Sequence, residues 1–346
     1  MSPSSRSNTA DPKAGVARDT ASARDPATNA APEVRLVHAD AIEGLRRLDD
    51  ASIHCCVTSP PYWGLRDYGT PGQLGLEDTP DEYVARLVEI FREVRRVLVP
   101  EGTLWLNLGD SFASTPGAVL SYGTRDESAR RRASGEANAD GDRPCAVLKP
   151  KDLIGVPWRV AFALQADGWW LRQDIVWEKP NPMPESVRDR CTKAHEYLFL
   201  LTRSDRYHFD VKAIAEPGVT GKWEAMPPIG GVKHAGHEFH GGRVYTGKRP
   251  ASDGMRRRRS VWKVPVKPYK GAHFAVMPPK LIEPCVLAGS PVGGTVLDPF
   301  AGSGTTLAVA AANGRSGVGI EINEEYLPLI RERVIQASEH ATLSMS

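Results

Sequence analysis

The sequence is poor in cysteine, and its few cysteines form no framework. Five occur, at positions 55, 56, 145, 191 and 285, and none belongs to a CxxC pair. Zinc sites and the disulfide scaffolds of small secreted domains both depend on closely spaced cysteines. The spacing therefore predicts free thiols and no metal site.

Long apolar runs and a strong charge imbalance are also missing. No stretch approaches the ~20 consecutive apolar residues of a membrane span, and the first thirty residues lack the apolar segment of a secretory signal. The formal net charge is only +2. These absences exclude a membrane protein and favour an intracellular one, but they do not identify its partners.

The sequence does contain enough apolar material for a large core. Of its 346 residues, 41% are hydrophobic, which suits one large domain or two smaller ones. Residues 1–32 are an exception because they are mostly Ser, Ala, Thr, Pro and Asp. That composition predicts a disordered tail.

Strand and helix patterns alternate from residue 33 onward. Apolar runs predict strands at 34–37, 53–57, 103–108, 169–180, 195–204 and 317–320. Helical spacing follows Asp40, begins again near Asp81, and recurs at 152–166 and 305–312. This alternation predicts an α/β fold with a doubly wound, mostly parallel sheet and helices on both faces.

The stretch TSPPYW, residues 58–63, closes the strand at 53–57. Two consecutive prolines fix the backbone of the loop, and ligands of doubly wound sheets bind beyond the carboxyl ends of strands. A tight turn without function is the alternative, since Ser-Pro pairs often start turns. A partner motif elsewhere in the chain is needed to decide between the two.

That partner is GGTVLDPFAGSGTT, residues 293–306, which predicts a strand, a glycine-bearing turn and a helix. Gly302 and Gly304 permit a ligand to approach the backbone, and Glu321 ends the next strand where an acid binds ribose hydroxyls in nucleotide sites. The motif is not GxGxxG, and glycine alone indicates a pyrophosphate site only weakly.

Positive charge is concentrated late in the chain. Residues 243–270 contain ten Lys or Arg and one acid, and the run Arg256, Arg257, Arg258 and Arg259, with Lys263 nearby, predicts contact with nucleic acid. Tyr245, Trp262 and Tyr269 are available for stacking. A solvated basic loop is the alternative. The polar, Arg-containing stretch at 113–147 predicts a flexible insertion, either closing over DNA or simply solvated.

With both motifs in view, the chain resembles the amino-methylating DNA methyltransferases that use S-adenosylmethionine (AdoMet). TSPPYW precedes DPFAGSGTT, with the basic segment between them and HFAVMP just before the second motif. This order is that of the family's beta group, and the resemblance covers about residues 33–338. It implies a Rossmann-like methyltransferase fold with an inserted, irregular target-recognition region.

The resemblance also implies a division of the chain. Residues 1–32 and 339–346 are terminal tails, and 33–212 form the catalytic half with its insertion at about 113–147. Residues 213–270 form the basic target-recognition region and 271–338 the AdoMet-binding half. Double-stranded DNA is the implied partner, with a cognate restriction endonuclease and a homodimer as analogies, in the cytoplasm at the nucleoid.

Site residues follow by position from the family's motifs. The cofactor-binding residues implied around the methionine end of AdoMet are Asp298, Pro299, Phe300, Gly302, Ser303, Gly304 and Thr305. Glu321 is implied to hold the ribose, with Asp40 near the adenosine and Phe274 packed beside the cofactor.

The implied catalytic segment is Ser59, Pro60, Pro61 and Tyr62. An exocyclic amine conjugated to a base ring is a poor nucleophile, so acceptors that favour its tetrahedral form are required. By analogy the Ser59 side chain and Pro60 carbonyl accept from the amine, and Tyr62 stacks on the flipped base before direct, in-line transfer. No cysteine nucleophile is involved, and Cys285 is expected to serve packing.

Ser59 and Trp63 resemble the subgroup that methylates cytosine N4, with adenine N6 as the alternative. Lys179, Asn181, Arg190 and His195 are candidates for shaping the base pocket, although a lone His at a strand start is often structural. Two other classes remain open: an AdoMet enzyme acting on a non-DNA substrate, and a DNA-binding protein without catalysis.

Overall fold

The computed structural model describes residues 31–64, 72–113, 148–218, 254–266, 277–338 and 342–345. Residues 1–30 of the predicted tail at 1–32, residues 114–147 of the predicted insertion at 113–147, and Tyr245, Tyr269 and Phe274 lie outside them. The strands are β1 (Glu33–His38), β2 (Ile53–Thr58), β3 (Leu98–Leu108), β4 (Trp170–Glu178), β5 (His195–Thr202), β6 (Glu216–Pro217), β7 (Met255–Arg256), β8 (Val261–Lys263), β9 (Thr295–Asp298), β10 (Ser316–Glu321) and β11 (Thr342–Met345).

Six α-helices accompany these strands in the described ranges. They are α1 (Ala41–Arg46), α2 (Pro80–Val97), α3 (Val156–Ala166), α4 (Pro279–Gly289), α5 (Thr305–Ala312) and α6 (Leu327–Ala337). A short 3₁₀ helix, Glu324–Tyr326, leads into α6. None of the helices in these ranges combines the length and the apolar character needed to cross a membrane.

One large sheet organises the fold, with strand order β11-β1-β10-β9-β2-β3-β5-β4-β8 among the described residues. Every neighbouring pair is parallel except β3 with β5 and β4 with β5. The predicted α/β fold with a mostly parallel sheet is therefore confirmed.

The position of the site follows from where the helices change faces. Residues of α1, α2 and α3 share one buried cluster, whereas those of α4 lie in a second cluster and those of α6 in a third. The strand order reverses between the neighbours β2 and β9, because the chain continues from β2 to β3 on one side and from β9 to β10 on the other. In doubly wound sheets such a switch point opens a crevice at the carboxyl ends of the strands, where ligands bind.

Helix α2 shows why these boundaries arise. Thr79 caps its start and exchanges hydrogen bonds with Glu82 in a capping box, and Pro80 occupies the first turn. The predicted apolar face is buried, including Tyr83, Leu87 and Phe91. The helix ends at Val97 because Leu98 is already extended, so β3 starts earlier than the predicted residue 103.

The helix predicted at 152–166 begins only at Val156, so the prediction was wrong for its first turn. Lys151 and Gly155 both have positive φ, at 73° and 76°, which interrupts right-handed helix. The carboxylate of Asp110 accepts the backbone N–H groups of Gly155 and Val156 at 3.0 and 3.1 Å. Asp110, at the end of β3, therefore holds the start of α3.

The C-terminal segment contributes to the sheet. Thr342–Met345 pairs in parallel with β1, placing Thr342 opposite Glu33. A four-residue strand at an edge carries too little hydrophobic pattern to be distinguished from a tail by sequence. The wider division of the chain into halves and a recognition region stays a prediction.

Candidate active site

A cavity of about 700 Å³ opens at the switch point and brings the two sequence motifs together. The predicted catalytic residues that line it are Ser59, Pro60, Pro61 and Tyr62. The predicted cofactor residues that line it are Asp40, Asp298, Pro299, Phe300, Gly302, Ser303, Thr305 and Glu321. TSPPYW is thus one wall of a shared cavity and not an isolated turn.

A hydrogen bond joins the two motifs at the floor of this cavity. Thr58 ends β2 and donates from Oγ1 to Oδ1 of Asp298, at the end of β9, over 2.6 Å. The same Oδ1 accepts the backbone N–H of Phe300 at 3.1 Å. Burial raises the pKa of Asp298 to about 6, although these hydrogen bonds and one with Thr306 lower it. Asp298 therefore organises the glycine-bearing loop.

Glu321 holds the far side of the same loop. Its Oε2 accepts the backbone N–H of Gly302 at 2.7 Å, and its Oε1 accepts that of Asn323 at 2.9 Å. Gly302 has a φ of 52°, which favours glycine at this turn. Burial raises the pKa of Glu321 to about 7 despite these hydrogen bonds. The carboxylate fixes the loop and faces the cavity.

This raised pKa predicts a pH-dependent contribution to stability. Because the folded-state pKa of Glu321 lies above its ordinary value of 4.5, the contribution is complete at low pH and is lost as the pH rises through about 7. As the pH rises from about 5 to about 8, the Tm of Glu321→Gln should rise relative to the Tm of wild type. Thermal melts at each pH, with Glu324→Gln as an exposed control, check this. A parallel offset at every pH contradicts it.

Gly304 has a structural place in the loop and does not line the cavity. It precedes α5 with a φ of 75°, and a Cβ built on it would come 2.7 Å from Cγ2 of Ile330 on α6. Glycine here lets the loop turn directly into α5 beneath α6. Its assignment as a cofactor contact stays a prediction, and the geometry supports an indirect role.

Arg333 on α6 is a site residue that the sequence analysis missed. Its Nη1 donates to Ser303 Oγ at 2.7 Å and also contacts Thr305 Oγ1. A guanidinium only donates hydrogen bonds, so it keeps both hydroxyl oxygens occupied from behind. No local pattern marks an arginine on a later amphipathic helix as a partner of the loop.

Asp40, which the resemblance places near the adenosine, lies at the start of α1. Its Oδ1 accepts the backbone N–H of Glu43 at 2.9 Å, which caps α1 as expected. Asp40 also lines the cavity, so one side chain starts a helix and faces the site.

The catalytic segment is held rigidly from its outer side. Tyr83 on α2 donates its hydroxyl to the carbonyl of Pro61 at 2.8 Å, and Trp63 donates Nε1 to the carbonyl of Glu77 at 2.8 Å. In the part of the chain that the structure describes, no group donates to the Pro60 carbonyl. Trp63 therefore anchors the loop, and the acceptor role of the Pro60 carbonyl stays a prediction.

The Tyr62 hydroxyl lies in a polar cluster on the cavity wall. It donates towards Glu196 Oε2 at 2.8 Å and Asn107 Oδ1 at 3.1 Å, and Ser59 Oγ lies 3.4 Å from it. Lys179 pairs with the other oxygen of Glu196. Burial, and then the charge of Glu196, raises the pKa of Tyr62 well above its usual range. Tyr62 therefore remains a neutral phenol.

Asn107 and Glu196 were not among the predicted site residues. Asn107 lies near the end of β3 and Glu196 near the start of the antiparallel β5, so the two strands meet at the cavity. Polar residues at the cavity end of buried strands were the available signal. The tyrosine ring itself lies against Gly109, where an added Cβ would come 2.5 Å from Tyr62 Cε2.

The four predicted base-pocket residues all line the cavity. Asn181 exchanges two hydrogen bonds with the backbone of Val266, at 2.9 and 3.0 Å. Arg190 pairs with Glu185 and stacks 3.8 Å above the ring of Phe112. His195 meets the edge of Tyr197. Asn181 and Arg190 hold the walls of the cavity, and their contact with a base stays a prediction.

Much of the basic run is paired within the protein. Arg256 and Arg259 both bind Glu216, at 2.9 and 3.2 Å, and Lys263 pairs with Glu178 at 2.8 Å. Arg258 stacks on Trp262, with 4.5 Å between its Cζ and the ring centre. Arg257 is exposed. The assignment of this run to DNA stays a prediction, with Arg257 as its most available charge.

Comparison with known proteins now decides the family. A model for N6 and N4 methyltransferases, described as DNA methylase, matches residues 53–332. The chain belongs to this family. The methylase is 46% identical over 305 residues to Type II methyltransferase M.SmaI of Serratia marcescens, covering 87% of this chain and 91% of the relative. It is 47% identical over 299 residues to M.XycI of Xanthomonas campestris pv. cyanopsidis, covering 86% and 87%.

Solved structures agree on the architecture of the methylase. A protein of Thermus thermophilus described as a putative DNA modification methylase, complexed with S-adenosyl-L-methionine, has a TM-score of 0.56 and 26% identity, covering 90% of this chain and 99% of that one. PvuII DNA methyltransferase, described as cytosine-N4-specific, has a TM-score of 0.57 at 15% identity, covering 92% and 98%. The second likeness supports the fold alone.

These findings confirm the predicted family, the Rossmann-like fold and AdoMet as the cofactor of a DNA methyltransferase. They do not separate cytosine N4 from adenine N6. The structure also agrees with a packing role for Cys285, which is fully buried in α4. Burial raises the pKa of its thiol well above the usual range, which opposes formation of a nucleophilic thiolate.

Proposed function

We propose that this methylase transfers the AdoMet methyl group directly to the exocyclic N4 of a cytosine flipped out of double-stranded DNA. The observation that carries the proposal is the single cavity whose walls are the catalytic segment and the Asp298–Glu321 loops. Ser59 and Pro60 line that cavity, and the proposal assigns Ser59 Oγ and the Pro60 carbonyl as the acceptors. An enzyme acting on an amine that is conjugated to its ring needs such acceptors, whereas it needs no covalent intermediate.

The residues of the glycine-bearing loop suit AdoMet. When bound, AdoMet supplies an electrophilic methyl group on a positively charged sulfonium. Asp298 and Glu321 place two acidic groups in the same buried wall, which favours a cationic ligand. Ser303 and Thr305 offer hydroxyls on the same side of the cavity. Phe300 is partly buried against the core and contributes an aromatic face.

The base itself is tested by its product. Ser59, through its resemblance to the subgroup that methylates cytosine N4, is the sequence feature that favours this base. Expression in a methylation-free host, followed by mass spectrometry of nucleosides, should yield N4-methylcytosine. Single-molecule sequencing of the same DNA gives the target sequence. N6-methyladenine as the product would replace the proposed base with the alternative and leave the catalytic scheme standing.

The biological setting is proposed by analogy with the relatives, whose names describe Type II methyltransferases. A restriction endonuclease recognising the same DNA sequence is the expected companion, and the methylase would act in the cytoplasm at the nucleoid. A homodimer is likewise proposed. Sedimentation of the purified protein tests the dimer.

We expect the basic run to contribute unequally to DNA affinity. Arg257 is exposed, whereas Arg256 is tied to Glu216. Arg257→Glu should weaken DNA binding and reduce the slope of log affinity against log salt, by about one unit for each phosphate that the variant no longer neutralises. Arg256→Glu should instead lower thermal stability, because it sets a second carboxylate beside Glu216. Equal DNA affinity of Arg257→Glu and wild type over a salt series would move recognition to another surface.

A further inference from the structure

Ser59, Tyr62, Asn107 and Glu196 form a polar cluster on the cavity wall. Within it, Ser59 donates to Tyr62, and Tyr62 donates to Asn107 and Glu196. We propose that Glu196 is a positioning residue that forces the Ser59 hydroxyl to turn its proton away from the substrate amine and present its lone pairs. This inference deepens the proposed function and rests on it, because it assumes that Ser59 accepts from the amine. Glu196 is not among the predicted site residues.

The direction begins at the carboxylate. Ionised Glu196 only accepts hydrogen bonds, and its oxygens are shared among Lys179, Asn107 and Tyr62. The side chain is 15% exposed, and that of its ion-pair partner Lys179 is 19% exposed. Lys179 also lies 4.5 Å above the ring of Trp177. A carboxylate so enclosed and so paired remains an acceptor at a fixed place.

Asn107 reinforces the same direction. Its Nδ2 donates to the carbonyl of Tyr197 at 3.0 Å and to Glu196 Oε2 at 3.2 Å. Both of those partners only accept, so the amide orientation is fixed and Oδ1 faces the Tyr62 hydroxyl at 3.1 Å. Tyr62 thus meets two acceptors on its inner side.

The consequence reaches Ser59 through a single proton. A phenol has one proton, and Tyr62 gives it to Glu196 or Asn107, so its oxygen can only accept from Ser59. Ser59 Oγ lies 3.4 Å away, a long contact, and is the remaining donor in the cluster. With its proton directed at Tyr62, Ser59 turns lone pairs to the cavity. An exocyclic amine has two N–H groups to donate and requires that arrangement.

Changing Glu196 to glutamine keeps the size of the side chain but reverses the direction of its hydrogen bond with Tyr62. Lys179 only donates, so it holds the carbonyl oxygen of the new amide, and the NH₂ group then faces Tyr62 and Asn107. Tyr62 receives a hydrogen bond where it had given one. Asn107 Oδ1, at 3.1 Å, is then the one inner acceptor left for the Tyr62 proton among the described contacts. The proton is therefore shared between Asn107 and Ser59, and where it points at Ser59 the Ser59 proton turns towards the amine and opposes it.

The test is a double-mutant cycle on single-turnover methyl transfer to DNA from a methylation-free host, using AdoMet with a tritiated methyl group. Glu196→Gln alone should slow transfer by between about 10- and 100-fold, the scale of one charge-assisted hydrogen bond. In a Ser59→Ala background it should change the rate by less than about 3-fold, since there is no hydroxyl left to orient. The Kd for AdoMet should stay unchanged in all variants.

Tyr62→Phe provides a second route if Glu196→Gln folds poorly. It keeps the ring and removes the relay, so its effect on the rate should also disappear in the Ser59→Ala background. Full, multiplicative losses in that background would overturn the positioning role while leaving Ser59 as an acceptor. A wild-type rate for Ser59→Ala alone would instead overturn the acceptor role that the proposed function gives Ser59, so the two failures are distinguishable.

Discussion

Replacing Ser59 with alanine is expected to lower the rate of methyl transfer by about 10²- to 10³-fold, the scale seen when one preorganised polar group is removed from an active site. The hydroxyl lies on the cavity wall beside Tyr62, whereas the hydrogen bonds that hold the cofactor loop come from Thr58, Asp298 and Glu321 and do not involve Ser59. Ser59→Ala should therefore keep the Kd for AdoMet. Single-turnover assays and equilibrium binding measure the two quantities.

Ser52→Ala is the matched control for this prediction. Ser52 precedes the other end of β2, is exposed, and donates its hydroxyl to the carbonyl of Asp49. Ser52→Ala also removes a serine hydroxyl next to β2, but at the end of the strand away from the cavity. The rate of methyl transfer by Ser52→Ala should therefore equal that of wild type. If Ser59→Ala also methylates at the wild-type rate, Ser59 is not an acceptor of the amine.

Much of the scaffold of this site could be predicted from local pattern. The strand, turn and helix around Asp298 occur as predicted, with β9 ending at Asp298 and α5 starting at Thr305. Asp40 caps α1, as its position before an amphipathic run indicated. These features depend on residues within one helical turn or one strand, where periodicity and capping rules apply.

The contacts that orient the site were beyond that range. Tyr62 and Glu196 are 134 residues apart, and Ser303 and Arg333 are 30 apart. Their meeting depends on strand order, because β5 enters antiparallel beside β3 and brings Glu196 to Asn107. A sequence motif identifies residues predicted to contact ligands. The residues that hold those side chains in place can come from distant parts of the chain, outside the motif.

The basic run shows a different limit of sequence reasoning. Composition counts charges but not their partners, and Glu216, which binds both Arg256 and Arg259, lies about 40 residues earlier in the chain. An ion pair leaves less charge to attract phosphate. For this reason Arg257, and not the whole run, is the sharper target for DNA-binding tests.

Removing the Asp298 carboxyl is expected to disrupt both motifs at once. Thr58 is fully buried, and it and the Phe300 N–H depend on Asp298 Oδ1 as an acceptor. Leaving these two donors without a partner costs about 1 to 3 kcal/mol for each that stays buried. Asp298→Ala should therefore lower the free energy of unfolding by roughly 2 to 4 kcal/mol and weaken AdoMet binding by more than about 100-fold.

Asp298→Asn separates architecture from charge. Its amide oxygen still accepts from Thr58 and Phe300, so the loop should remain in place. Burial raises the pKa of Asp298 to about 6. The free energy of unfolding of the wild-type protein therefore falls as the pH rises through that value, whereas that of the asparagine variant does not respond, because an amide does not titrate in this range. As the pH rises from about 4 to about 7, the asparagine variant should thus gain stability relative to wild type, and the difference should stay constant at higher pH. Its affinity for cationic AdoMet should still fall, since the negative charge is gone. Denaturant unfolding and calorimetric AdoMet binding measure both effects, and wild-type AdoMet affinity in Asp298→Ala would show that the Thr58–Asp298 link does not organise the cofactor loop.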